Sequence, residues 1–179
     1  MTPSKNKGFT LLETLIAFVV LTVGLLGAVA LQAQAKQASY DSLQRAAALN
    51  LANDVIGRIA ANDTAAAMAI YNTNINYTDP ENINHVAACL NSQCTDIELA
   101  NFDIEQWKKA IKAKEGTGTL SDATICIAPT INTNQVDLNV IVTWFGRQQI
   151  GQSAGNAACG STSTNRKMVS LNRFIFMRP

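Results

Sequence analysis

The chain has 179 residues, enough for one ordinary domain with something attached. Its formal charge of +1 excludes a global electrostatic case for nucleic acid or anionic lipid as a partner. Charged residues make up only 15%, well below the usual quarter, and much of the deficit lies before residue 40.

Residues 1–8, MTPSKNKG, are short, polar and basic. From Phe9 to Leu31 there are 23 residues whose only charge is Glu13. As helix this run is about 34 Å long, enough to cross the hydrocarbon core of a bilayer. Two readings compete. One is a secretory signal peptide, with Ala33-Gln34-Ala35 as an A-x-A cleavage site and a secreted periplasmic binding module as the product. Against it, an apolar signal core normally has about 7–15 residues. This run is longer, carries a carboxylate, and leads into sequence that goes on favouring helix.

That sequence, Leu31 to Asn62, lacks proline and is rich in Ala, Leu and Gln. In its second half Ala48, Leu49, Leu51, Ala52, Val55, Ile56 and Ile59 share one arc of roughly 160°, with Asn50, Asn53, Asp54 and Arg58 opposite. One continuous helix is therefore expected from near Phe9 to about Ala60, on the order of 75–80 Å. The expected divisions are a leader (1–8), an apolar membrane or filament-core segment (9–31), the amphipathic half of the helix (32–62) and a globular head (63–179).

Asn62 to Asn84 is rich in Asn, Thr and Asp and reads as mostly loop. The next helix is TDIELANFDIEQWKKAIKAK. Thr95 and Glu98 have capping-box spacing. Asp103 reads as a second N-cap, with Gln106 three residues on and Phe102 and Trp107 at the hydrophobic-staple positions. The Gly116-Thr117-Gly118 stretch ends it. Three strands follow: Ala123–Pro129, stopped by the proline; Gln135–Phe145, with Val136, Leu138, Val140, Val142 and Trp144 on one face; and Lys167–Met177, whose inward face is less decided. A long polar loop, 146–165, separates the last two. Strands joined locally in this way are antiparallel.

The four cysteines, Cys89, Cys94, Cys126 and Cys159, lack the two short pairs of a structural zinc site. Beyond a membrane-targeting segment an even number reads as disulfides. Three connectivities are open, and Cys89–Cys94 with Cys126–Cys159 is the favoured one. His85 is the only histidine, so no His-based metal cluster or Ser–His relay forms within one chain. No P-loop, G-x-S-x-G, H-E-x-x-H or paired-carboxylate arrangement is present, so neither an enzyme nor a cofactor is expected. Lys108, Lys109, Lys112 and Lys114 near a helix end read as complements to its dipole rather than as a nucleic-acid site.

KGFTLLE, Lys7 to Glu13, resembles the class III signal of type IV pilins and pseudopilins. The resemblance implies cleavage by prepilin peptidase after Gly8, N-methylation of the new first residue Phe9, and a role for Glu13 in docking the subunit into a fibre. VGLLG, the LANDVIGRIAAN stretch and CLNSQCTDIELANFDIEQWKKAI resemble the PilV group of minor pilins. Ala30 stands where major pilins usually carry a helix-kinking proline, which favours a minor subunit. Gly24 and Gly27 are the helix-weakening positions instead, and Gly24 with Ala28 forms a small-xxx-small pair suited to helix packing. The resemblance implies an α+β, pilin-like fold, in which a long N-terminal helix packs on a C-terminal antiparallel sheet with a disulfide-braced αβ region. It implies a single-pass precursor in the bacterial inner membrane, then a place in a type IV pilus beside other minor pilins and the major pilin. There it would prime assembly and support adhesion, twitching motility or DNA uptake. A minor pseudopilin of a type II secretion system shares the same N-terminal signal.

Overall fold

The computed structural model describes residues 8–90, 93–147 and 159–178. The expected leader up to Lys7, the centre of the Cys89–Cys94 loop and residues 148–158 of the expected polar loop lie outside the described residues. Contacts divide the chain into two units, Met1–Ser42 and Leu43–Pro179. The first helix, α1 (Leu11–Ala61), contributes to both.

In the first unit α1 is unbroken through Gly24, Gly27 and Ala30. The large apolar side chains from Phe9, just ahead of it, to Leu31 are exposed. The hydroxyls of Thr14 and Thr22 donate back to the carbonyls of Leu11 (2.9 Å) and Val19 (2.8 Å). Both polar groups are thus satisfied inside the helix, as an apolar surround requires.

The second unit holds the rest of α1, then α2 (Ala65–Tyr71), β1 (Thr73–Asn76), α3 (Ile83–Leu90), α4 (Asp96–Gly116), β2 (Ser121–Asn132), β3 (Gln135–Phe145) and β4 (Arg166–Phe176). The strands form one antiparallel sheet in the order β1-β2-β3-β4. On its inner face lie Ile75, Ile125, Ile127, Val169, Ile175 and the five predicted β3 residues Val136, Leu138, Val140, Val142 and Trp144, all buried. They form one core with Ala48, Leu51, Ala52, Val55, Ile56 and Ile59 of α1 and with Met68, Tyr71, Trp107 and Ile111. The α+β arrangement is as the resemblance implied and the apolar arc of α1 as the periodicity did, with Leu49 only partly buried.

Three sequence expectations are corrected. The stretch from Asn62 to Asn84 is not mostly loop. Thr64 caps α2 by accepting from the Ala67 amide (3.3 Å), the Ala-rich turn that follows favours helix, and Asn74 and Asn76 reach the sheet through β1. β2 does not stop at Pro129 but continues to Asn132, paired with β3 throughout its second half. β1 pairs only as far as Ile127, so Pro129 faces a free edge where its missing N–H costs nothing. Finally, α4 has one N-terminus: Thr95 and Glu98 make a complete capping box, and Asp103 lies within the helix, buried.

The cysteines pair as Cys89–Cys94 and Cys126–Cys159, with Cα separations of 5.3 and 5.8 Å. Beside the second bridge the Arg166 guanidinium donates to the Thr143 hydroxyl (2.8 Å), the Asp122 carbonyl (3.0 Å) and the Ser161 hydroxyl (2.8 Å), and pairs with the Asp122 carboxylate. Gly160, at φ +78°, allows this approach: a Cβ there would meet Arg166 Nη1 at 2.8 Å.

Candidate functional site

The segment that the sequence singled out begins with Gly8, Phe9 and Thr10, which precede α1 and are exposed. Exposed, non-helical backbone is what a peptidase needs in order to bind and cut. The Thr10 hydroxyl accepts from the Glu13 amide (3.3 Å), which places Thr10 at the N-cap and Glu13 at the third helical position. T-x-x-E is capping-box spacing, a signal that the sequence reading passed over at this helix. Glu13 therefore has a local reason for its place. A carboxylate in the first turn complements the positive end of the helix dipole.

Further along, Gly24, Gly27 and Ala28 lie on the exposed surface of the same helix. A Cβ built at Gly24 or Gly27 would meet no atom within 4 Å. Nothing within the described chain requires glycine at either position. α1 is also long and apolar enough to cross a membrane.

The head contains a polar cluster that the sequence did not reveal. Asp103 Oδ2 accepts from the Tyr71 hydroxyl (2.7 Å) and Oδ1 from Arg58 Nη1 (3.1 Å). Arg58 also pairs with Asp54 (3.1 Å), and Asp54 accepts from Trp107 Nε1 (3.0 Å). Asn62 donates to Tyr71 Oη (3.2 Å) and to the Asp96 carbonyl (2.8 Å). Burial, and then the bond to Asp103, raise the Tyr71 pKa well above its ordinary value. Burial pulls the Arg58 pKa down, but its bonds to Asp103 and Asp54 outweigh that and the net shift is upward. The cluster ties α1, α2 and α4 together and leaves the tyrosine neutral. Asp54 and Arg58, expected on the solvent side of α1, are its outer members.

A second cluster holds α3. The buried Glu105 carboxylate accepts from Lys108 Nζ (2.8 Å) and the Asn82 amide (2.8 Å), with His85 Nδ1 at 3.7 Å. Lys108 also donates to the Pro80 carbonyl (3.1 Å), and Lys112 pairs with Glu81 (3.3 Å). These two of the four lysines are thus engaged with their own chain. Among the described residues, no group of three or more His, Cys, Asp or Glu side chains is placed to hold a metal ion.

Comparison with known proteins adds two matches. Residues 3–29 match the prokaryotic N-terminal methylation motif, and residues 30–105 match the Tt1218-like family of type IV pilins. No curated protein and no solved structure matches the chain. The two family matches adjoin and together take in all of α1, α2, β1, α3 and the first half of α4. Type IV pilins are structural fibre subunits, not enzymes, and the methylation motif implies processing by a prepilin peptidase. The exposed apolar α1, the antiparallel sheet behind it in sequence and these matches support a place for the chain in the type IV pilin family.

Proposed function

We propose that the chain is a minor pilin of a type IV pilus, similar to the PilV group. It is made as a single-pass precursor in the inner membrane, cut between Gly8 and Phe9, and N-methylated on Phe9. The reading is carried by one observation. The match to the methylation motif coincides with an exposed, non-helical Gly8–Phe9 junction followed at once by a capped apolar helix. A carboxylate within hydrocarbon is costly and needs a partner. Cleavage creates a positive α-amine on Phe9, and Glu13 of one subunit pairs with the amine of its neighbour where water is excluded and the attraction is strongest. Gly24, Gly27 and Ala28 are the places where a neighbouring helix approaches closely. The unbroken α1 through Ala30 supports a minor rather than a major subunit. The helix also runs on through Ala33–Ala35, which favours this reading over a secreted module cut after Ala35.

The test is the N-terminal peptide and intact mass of the protein from membranes and from sheared fibres. N-methylated Phe9 in both samples is the expected result. Its presence in membranes but never in pili, in cells that also assemble a type II secretion system, would instead favour a pseudopilin. A terminus at Lys36 would overturn the reading. In parallel, Glu13→Ala should be cut and methylated normally yet be depleted from fibres. Incorporation at wild-type levels would disprove the role given to Glu13.

A further inference from the structure

The outer face of the sheet, away from the core, carries a shallow groove of about 370 Å³ towards one end of β2, β3 and β4. Cross-strand register sets Thr130, Asp137 and Phe174 in one row of this face, and Asn139 and Asn172 in the adjacent row. Phe174 and Phe176 follow one another along β4, roughly 7 Å apart, and are 71% exposed each. Rings so exposed are unusual in this head, where the other two aromatic strand residues are Trp144, which is buried, and Phe145, which is 40% exposed. Asn139 Nδ2 donates to Asn172 Oδ1 (2.5 Å), and Asn132 Nδ2 donates to Asp137 Oδ2 (3.3 Å). The amides and the carboxylate are therefore held in place before any ligand arrives, which lowers the cost of binding.

We propose that this outer sheet face binds a neutral oligosaccharide. A sugar ring has one apolar C–H face and a rim of hydroxyls that both donate and accept. The π-faces of Phe174 and Phe176 suit the first, since their negative quadrupole attracts polarised C–H groups. The Asn172 amide, the Asp137 carboxylate and the Thr130 hydroxyl suit the second, offering donors and acceptors side by side. Charge selects the class. The outer face of the groove presents one carboxylate, Asp137, while register sets the other charged lining residue, Arg173, opposite the buried Leu138 and so on the alternate face, which leaves nothing here to attract an anionic polymer. A protein partner is less well matched. Interfaces have an apolar core inside a polar rim, whereas here the rings lie on the outermost strand and polar side chains fill the centre. The inference concerns the head alone and goes beyond the fibre role proposed above.

The experiment uses the full chain in lipid nanodiscs over an array of neutral glucose, galactose and N-acetylglucosamine oligosaccharides, with sialylated and sulfated glycans alongside. Retention on a subset of the neutral sugars is expected. Phe174→Ala and Asn172→Ala should each weaken it at least tenfold, while Ile97→Ala, on α4, leaves it unchanged. Thermal melting of each variant checks the fold, and Asn139→Ala replaces any variant that melts early. No retention of neutral sugars at millimolar concentration overturns the proposal. So does retention that survives both substitutions, or retention of charged glycans only. A photo-crosslink from position 174 to another pilin in intact fibres, with no glycan retained, would make the face a subunit contact and would likewise overturn it. Because binding is read on the isolated chain, a negative result leaves the processing and fibre experiments untouched.

Discussion

Asp103 illustrates how one side chain can suit two environments. Followed by Gln106 and flanked by Phe102 and Trp107, it has the local pattern of a helix start. In the fold it receives Tyr71 and Arg58 within a continuous helix. Local spacing identifies carboxylates near amides, but a hydroxyl arriving from 32 residues away leaves no mark on it. Removing this acceptor strands a buried phenol and a half-buried guanidinium. Asp103→Ala should therefore cost about 3 kcal/mol, seen as a lower urea midpoint with an unchanged m-value. Glu105 gives a pH dependence. Burial pushes its carboxyl up, but bonds from Lys108 and the Asn82 amide, with the charges of Lys108 and His85, leave it below its ordinary 4.5. Glu98 is also lowered, by bonds from the Thr95 backbone and hydroxyl. A carboxyl depressed in the folded state contributes stability that is complete above the unfolded value and is lost as pH falls through the folded one. The melting temperature of the head should hold above about pH 5 and fall on acidification below about 4.5. Glu105→Gln should flatten that fall. A melting temperature independent of pH between 5 and 3 would contradict this.

At the scale of elements, what could be read depended on length and on how one-sided the burial is. β3 was legible because its inner face is buried at every second residue over nine positions, so a period of two is printed in Val136 to Trp144. β4 was less so, because Phe174 and Phe176 put apolar residues on its outer face as well. β1 has four residues, only one of them buried, too few to show any period against an Asn- and Thr-rich background. The disulfides tie elements over very different spans. Chain-entropy reasoning gives the Cys126–Cys159 bridge, across a separation of 33, about 4 kcal/mol, and the Cys89–Cys94 bridge, across 5, about 2 kcal/mol. Replacing each pair by serine should lower the denaturant midpoint in that order. The reverse order would mean that the short loop secures more of the head than its span suggests. At the other end of the chain, Thr10→Ala should fray the first turn of α1, visible as faster amide exchange at Glu13 while exchange in the head is unchanged.

At the scale of the molecule, the apolar run and the head were separable in the sequence because they answer to different solvents. Residues Phe9–Leu31 have no inward or outward side, whereas the burial of α1 begins at Gln44 and follows the helical period to Ile59. A variant beginning at Gln32 retains every buried residue of α1 and loses the exposed apolar stretch. It should run as a soluble monomer on gel filtration without detergent, where the full chain needs detergent. Aggregation of the shortened variant would show that the head depends on what was removed. One contact made late in the chain bears on how the protein comes into being. Arg178 donates to the Ala61 carbonyl (2.9 Å) and pairs with Asp63, which closes off the last turn of α1. Ahead of it, β4 supplies the outermost strand and Cys159 the second half of a bridge begun at Cys126. More than a hundred residues must therefore leave the ribosome, and on the proposed single-pass reading cross the membrane, between the making of the helix and the sealing of its end. In the proposed topology the apolar arc of α1 lies incompletely covered on the far side of the bilayer until that interval ends. A nascent subunit is for that time a client for whatever guards unfinished chains there, and its translocation rate sets how long the exposure lasts.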